Sequence, residues 1–195
     1  MNNIKQMIIK IKWFPTHLYN LLIFKCRGIS FGKGLRTFGT IFIRGTGKIS
    51  IGDQVKITSC RETNPIGGDI KTILFAKGKS EIIIGNNVGL SNVTIVASDK
   101  IEIEDFVFIG ANCKIYDHDF HSILFKERIM DNDPGIKVAP VIIKKGAFIG
   151  AHSIILKGAS VGKESVIGAG SVVTGNIPDG EIWAGNPAKF IRKVY

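Results

Sequence analysis

The residues best suited to chemistry stand together in Tyr116-Asp117-His118-Asp119-Phe120-His121. A neutral imidazole, with an unperturbed pKa of about 6.5, can take up a proton at working pH and give it back, so a histidine here suits general-base work. Asp117 and Asp119 flank His118, and either carboxylate could orient its ring; His121 adds a second imidazole on the same stretch. Two further histidines lie apart. His17 belongs to a basic N-terminal segment and reads as an ordinary surface or capping residue, whereas His152 reads equally as a surface group or as part of a site. His118, His121 and His152 could in principle supply three ligands to zinc. The cysteines, Cys26, Cys60 and Cys113, are odd in number with no CxxC, which indicates neither a disulfide framework nor a zinc ribbon. A reducing cytoplasm is the simplest compartment for them.

The elements that must position these residues announce themselves by period. Read in sixes, the chain from Ile143 to Pro178 places Ile143, Ile149, Ile155, Val161, Ile167 and Val173 at successive first positions, and Ala147, Ser153, Ala159, Ser165 and Ser171 at the fifth. Ile and Val make up about a quarter of the chain, so such a run arises by chance about once in several thousand trials. A period of six fits neither a helix nor a half-buried strand alone; it fits short strands joined by repeated corners. The β-branched residue points inward and the small one fits where the chain turns. Upstream the rhythm is looser, through Ile43, Ile49, Ile51, Ile84, Leu90, Val96, Ile103, Ile109 and Ile115. It breaks near residues 59–71, with Pro65, Gly67 and Gly68, and again near residues 119–140, with Phe125, Asp131, Asp133, Pro134 and Gly135. The first reads as a surface loop inserted at a coil corner, and the second as a long loop thrown out of a rigid repeat, of the kind that tends to carry function. His118 stands where the second one begins.

Three segments follow: residues 1–30, an N-terminal amphipathic helical segment; residues 31–178, the repeat; and residues 179–195, a tail that leaves it. In the first, Ile4, Met7, Ile8, Ile11, Leu18, Leu21, Leu22 and Phe24 alternate with Lys5, Lys10, Lys12, Lys25 and Arg27 at near-helical spacing, with a break expected at Pro15. No apolar run approaches the ~20 residues that span a bilayer, and no signal-peptide cleavage pattern is present. The segment either caps the open end of the repeat or lies on an anionic membrane surface.

At 195 residues, 45% apolar and 22% charged, the chain has the composition of one folded domain, and its 23 glycines suit repeated tight corners. The net charge of +10 favours anionic partners. The basic residues are spread without an aromatic-interleaved cluster, so nucleic-acid binding is not expected. Arg44-Gly-Thr-Gly-Lys48 lacks the spacing of a phosphate-binding loop, and Gly32-Lys-Gly34 is a lone GxG; both read as corners.

The hexads, their closure at Gly175-Asn-Ile-Pro178 and the following Ile182-Trp-Ala-Gly-Asn-Pro-Ala-Lys-Phe-Ile-Arg-Lys-Val194 resemble the hexapeptide-repeat acyltransferases, among them galactoside and maltose acetyltransferases and the O-acetyltransferases of surface polysaccharides. The resemblance implies an all-β solenoid, a left-handed parallel β-helix of three hexads per coil, assembled as a homotrimer. It implies acetyl-CoA as co-substrate and no metal. His118 is then the catalytic base, with Asp117, Asp119 or His121 orienting it or binding the acceptor. The backbone N–H of Ala151 meets the thioester oxyanion, and Gly168, Ala169, Thr174, Lys189, Arg192 and Lys193 receive CoA. The γ-class carbonic anhydrases share this architecture and bind zinc through three histidines, but their paired histidines stand further apart than His118 and His121. The implied activity is O-acetylation of a sugar hydroxyl in surface-polysaccharide assembly, in the cytoplasm or at the inner face of its membrane. An antibiotic or amino-sugar acetyltransferase and a non-catalytic trimeric scaffold are the alternatives.

Overall fold

The six-residue period becomes a three-sided coil. The structure, a computed structural model, describes residues 2–195, with the side chains of the N-terminal helix described from Ile11 onward. Its strands form three sheets, one per side, of seven, eight and six strands, parallel throughout except for the last strand of the eight. The first side begins at Ser30–Phe31, the second at Arg36–Phe38 and the third at Phe42–Gly45, and the chain visits them in turn, winding left-handed. Ile143, Ile149, Ile155, Val161, Ile167 and Val173 are all fully buried, and so are the small residues Ala147, Ser153, Ser165 and Ser171 at the corners. Each inward side chain stacks on its equivalent in the next rung, as Ile115 does on Ile155 and Ile109 on Ile149. The core is a column of β-branched residues whose burial, at about 25 cal/mol per Å² of apolar area, is the main stabilising term.

In the looser coil the core position falls one residue earlier than a strict period of six places it. Between Leu90 and the third side the corner is one residue shorter than elsewhere, so Ile95, not Val96, fills the core in line with Ile115. Val96 turns outward between Phe75 and Tyr116. The repeat also runs past Pro178: Glu181–Ala184 adds a further rung, with Trp183 stacked on Ile167. Only then does Lys189–Lys193 turn back antiparallel along it.

The N-terminal helix α1 (Asn2–Cys26) is continuous through Pro15. Proline removes one N–H from the ladder, and Thr16 Oγ1 donates to the Trp13 carbonyl close by, at 3.0 Å. The helix lies across the first coil, with Phe24 fully buried in the core. Asn20 stitches it down, donating to Thr37 Oγ1 and the Gly39 carbonyl and accepting from the Ile41 N–H. Its other face carries Ile11, Phe14, Leu18 and Leu22, all exposed and at helical spacing. The expected apolar positions Ile4, Met7 and Ile8 have side chains outside the described residues.

Candidate active site

His118 sits in the neck of the long loop. The strand Lys114–Tyr116 on the third side ends just before it, and the chain returns antiparallel, with His118 bridged to Val138. Asp119 N–H donates to the Lys137 carbonyl and Ala139 N–H to the Asp117 carbonyl, which clamps the neck on both sides. Within the loop, the one-turn helix α2 (Phe125–Arg128) and Asp133, which accepts from the Ser122 N–H, hold a local fold.

The clamp buries an ion-capable pair. Asp117 is 0% exposed and His118 5%. Asp117 accepts from the backbone N–H groups of Ser98, at 2.8 Å, and Asp99, at 2.7 Å, and meets His118 Nδ1 at 2.9 Å. Two amides and an imidazole thus satisfy the buried carboxylate, offsetting the cost of its removal from water. Lys77 Nζ lies 2.7 Å from His118 Nε2. An ammonium can only donate, so Nε2 must accept; the carboxylate can only accept, so Nδ1 must carry the proton. Both neighbours therefore demand one tautomer, with the lone pair on Nε2. That is the form a general base needs. The ring of Phe120 packs against the imidazole at 4.8 Å and stands edge-on to Tyr116 at 5.0 Å.

The other candidate residues separate. Asp119 gives its carboxylate to Lys157 Nζ at 2.6 Å and so does not orient the imidazole. His121 is exposed on the loop, its Nδ1 3.0 Å from Asp133. Ala151 and His152 form a corner between the second and third sides, where His152 has φ +64° and meets Asn112. Since Lys114 is paired with Ile154, that corner lies at the far end of the third side from His118, roughly 20 Å away along the strand direction in one protomer. The three histidines thus do not converge within the chain, and among the described residues no group of three or more His, Cys, Asp or Glu could hold a metal.

Gly168 and Ala169 continue the Ala151 corner one rung on: the Gly170 N–H donates to the Ala151 carbonyl. A Cβ on Gly150 would come within 2.5 Å of the Ala169 nitrogen, so that position admits only glycine. Thr174 lies at the opposite end of its strand Val172–Val173, on the His118 edge. On the last strand Lys189 faces Ala184 and Arg192 faces Ile182, which puts both on the outer side of the sheet; Lys193 faces Glu181 and points the other way. Phe190 and Ile191 are about half exposed, so this strand does not bury itself against the coil.

Sequence reasoning missed Lys77, 41 residues from His118. Ala76 pairs with Ala97 and Val96 with Tyr116, so Lys77, Ser98 and His118 share one position on successive rungs. Only the lengths of the intervening corners, irregular in this part of the chain, bring them into line.

Residues 140–175 match the model of a family described as the hexapeptide repeat of succinyl-transferase. The chain is 36% identical over 125 residues to galactoside O-acetyltransferase of Escherichia coli, covering 63% of this chain and 58% of that one. It is 46% identical over 169 residues to mitochondrial gamma carbonic anhydrase 2 of Arabidopsis thaliana, covering 85% of this chain and 44% of that one. Among solved structures, AntD, an N-acyltransferase from Bacillus cereus in complex with dTDP and 3-hydroxybutyryl-CoA, superposes with a TM-score of 0.66 at 26% identity, covering 90% and 88% of the two chains. Fold and repeat thus define a hexapeptide-repeat left-handed β-helix. Within that architecture the resemblance to the acyltransferases, carried by the hexads, is borne out. The chain spans little more than half the length of the galactoside enzyme, at 58%, and less than half of the carbonic anhydrase, at 44%.

Proposed function

We propose that the protein is an acyltransferase that moves an acetyl group from acetyl-CoA to a sugar hydroxyl, in surface-polysaccharide assembly. The observation that carries this reading is the buried Asp117–His118 pair with its Nε2 lone pair fixed by geometry. His118 Nε2 takes the hydroxyl proton as the oxygen attacks the acetyl carbon, and the imidazolium, stabilised by Asp117, returns that proton to the sulfur as the C–S bond breaks. General-base help of this kind is typically worth 10²–10⁴-fold. The Ala151 N–H is the donor to the oxyanion, and because it lies a strand's length from His118 in the same chain, the reacting pair belongs to two protomers. A homotrimer supplies that juxtaposition. Exposed Phe106, Phe108 and Phe148 on neighbouring rungs, and Ile123, Leu124 and Phe125 on the loop, offer apolar surface for its contacts. The small-residue edge at Gly168 and Ala169 fits the pantetheine arm, and Lys189 and Arg192, exposed on one face, fit its phosphates.

A peripheral position at the inner face of the membrane completes the reading. Its support is the exposed stripe Ile11, Phe14, Leu18 and Leu22 on α1, flanked by Lys12 and Lys25. An amino-sugar acceptor is the second reading, favoured by the structural likeness to an N-acyltransferase.

The test is thiol release from acetyl-, propionyl- and succinyl-CoA against sugars, amino sugars and nucleotide-linked sugars. Wild-type protein should release thiol with at least one hydroxyl acceptor, and His118→Ala should cut turnover by roughly a hundredfold with the melt unchanged. Preference for an amino sugar would select the second reading. No thiol release and no CoA binding would leave a scaffold.

A further inference from the structure

Lys77 is placed as no ordinary surface lysine is. Among the described residues its ammonium has no carboxylate partner, and its one side-chain hydrogen bond runs to His118 Nε2. Two aromatic faces wall it, Phe75 at 5.6 Å and Phe120 at 5.4 Å. Arg44 stacks its guanidinium over the same Phe75 ring at 5.1 Å. The two carboxylates that flank His118 in the chain are already engaged: Asp117 with Ser98, Asp99 and His118, and Asp119 with Lys157. Burial pulls the Lys77 pKa below its ordinary value, and the Asp117 charge opposes this only in part. The Nε2 contact is therefore bordered by the Phe75 and Phe120 rings and capped by one cation, the Lys77 ammonium.

A general base must lie within about 2.6–3.2 Å of the proton it takes, so an acceptor hydroxyl has to occupy the place at Nε2 now held by the Lys77 ammonium. The ammonium moves aside on a four-carbon stem confined by Phe75 and Phe120, and stays close to whatever substituent neighbours the hydroxyl. A neutral neighbour leaves a partly desolvated charge unpaired beside the reaction, which is costly; an anionic one pairs it. We propose, building on the transfer reading above, that Lys77 selects an acceptor carrying a carboxylate or phosphate beside the hydroxyl that is acylated: a uronic-type sugar or a sugar phosphate. Tyr116 and Phe120 present ring faces and edges to its apolar side.

The experiment is titration of the full chain with D-glucuronate, glucose 1-phosphate and D-glucose, followed by calorimetry and by the His118 ring signals in NMR. It is run on wild type, Lys77→Gln and Lys77→Arg, with thermal melts as the folding control. At least one anion should bind wild type about tenfold tighter than glucose, shift the His118 signals, and lose that advantage in Lys77→Gln while Lys77→Arg keeps most of it. Which anion wins separates carboxylate from phosphate recognition. Equal affinities for all three ligands, absence of anion binding, or a preference that survives in Lys77→Gln overturns the proposal. Anion selectivity through Lys77 with no thiol release for any acceptor would sink the transfer reading and leave this site standing.

Discussion

Asp117 shows what one side chain is asked to do in this fold. Its carboxylate ends two backbone N–H groups and one imidazole, and an amide in its place cannot accept from all three. Asp117→Asn should therefore cost about 1–3 kcal/mol of stability, read from denaturant unfolding, and lower turnover by a factor on the order of 10²–10⁴ because the Nδ1 proton loses its anionic partner. Cys113 makes the opposite case. Buried in the coil with its thiol donating to the Gly150 carbonyl, it has its pKa pushed up to about 11, chiefly by burial. Its thiolate is scarce at neutral pH, so a thiol reagent at pH 8 should modify exposed Cys26 promptly and Cys113 only with global unfolding. Mass spectrometry of partly labelled protein checks the order.

At the scale of elements, α1 has two faces with two jobs. The inner face is fixed by Phe24 and Asn20, and by His17, whose Nδ1 meets Thr37 Oγ1 at 2.9 Å. Burial lowers the His17 pKa below the usual 6.5, so the unfolded chain binds this proton more readily than the folded one. Stability from this group is thus present above about pH 6.5 and is lost as pH falls toward the folded value. The melting temperature should drop between pH 7.5 and 5.5, and His17→Asn, which keeps a partner for Thr37, should flatten part of that slope. The outer face predicts a different measurement. Leu18→Asp with Leu22→Asp should abolish sedimentation with anionic vesicles and leave the melt within about 0.5 kcal/mol of wild type, since both positions are exposed. Equal sedimentation of wild type and variant would end the membrane reading.

The whole molecule is a stack in which each rung's backbone hydrogen-bonds only to the rungs beside it, so its geometry is stiff along the axis, and only long side chains such as Lys77 reach past a neighbour. One protomer holds His118 and the Ala151 corner at opposite ends of a strand, so the proposed transfer predicts a catalytic unit shared between protomers. Sedimentation equilibrium should return three times the 21.3 kDa of the chain. Ile123→Ser with Phe125→Ser, on the exposed loop, should weaken assembly and reduce turnover together while the isolated coil keeps its melt.

The sequence by itself determined the coil. A β-branched residue every sixth position and a small one four places later have no other way to be buried together, so Ile143 to Ile177 was legible without coordinates. It also marked His118, since a histidine where a strict period breaks into a polar loop stands out locally. What only the tertiary structure decided is everything that depends on accumulated rung length. One residue fewer at a corner moved Val96 outward and Ile95 in, and the same count brings Lys77 under Ser98 and His118. The choice of Asp117 over Asp119 as the imidazole's partner rests on the Ser98 and Asp99 amides of the preceding rung. Periodicity is a local property written along the chain, whereas register between rungs is a sum over every corner before it, and each irregular corner shifts that sum.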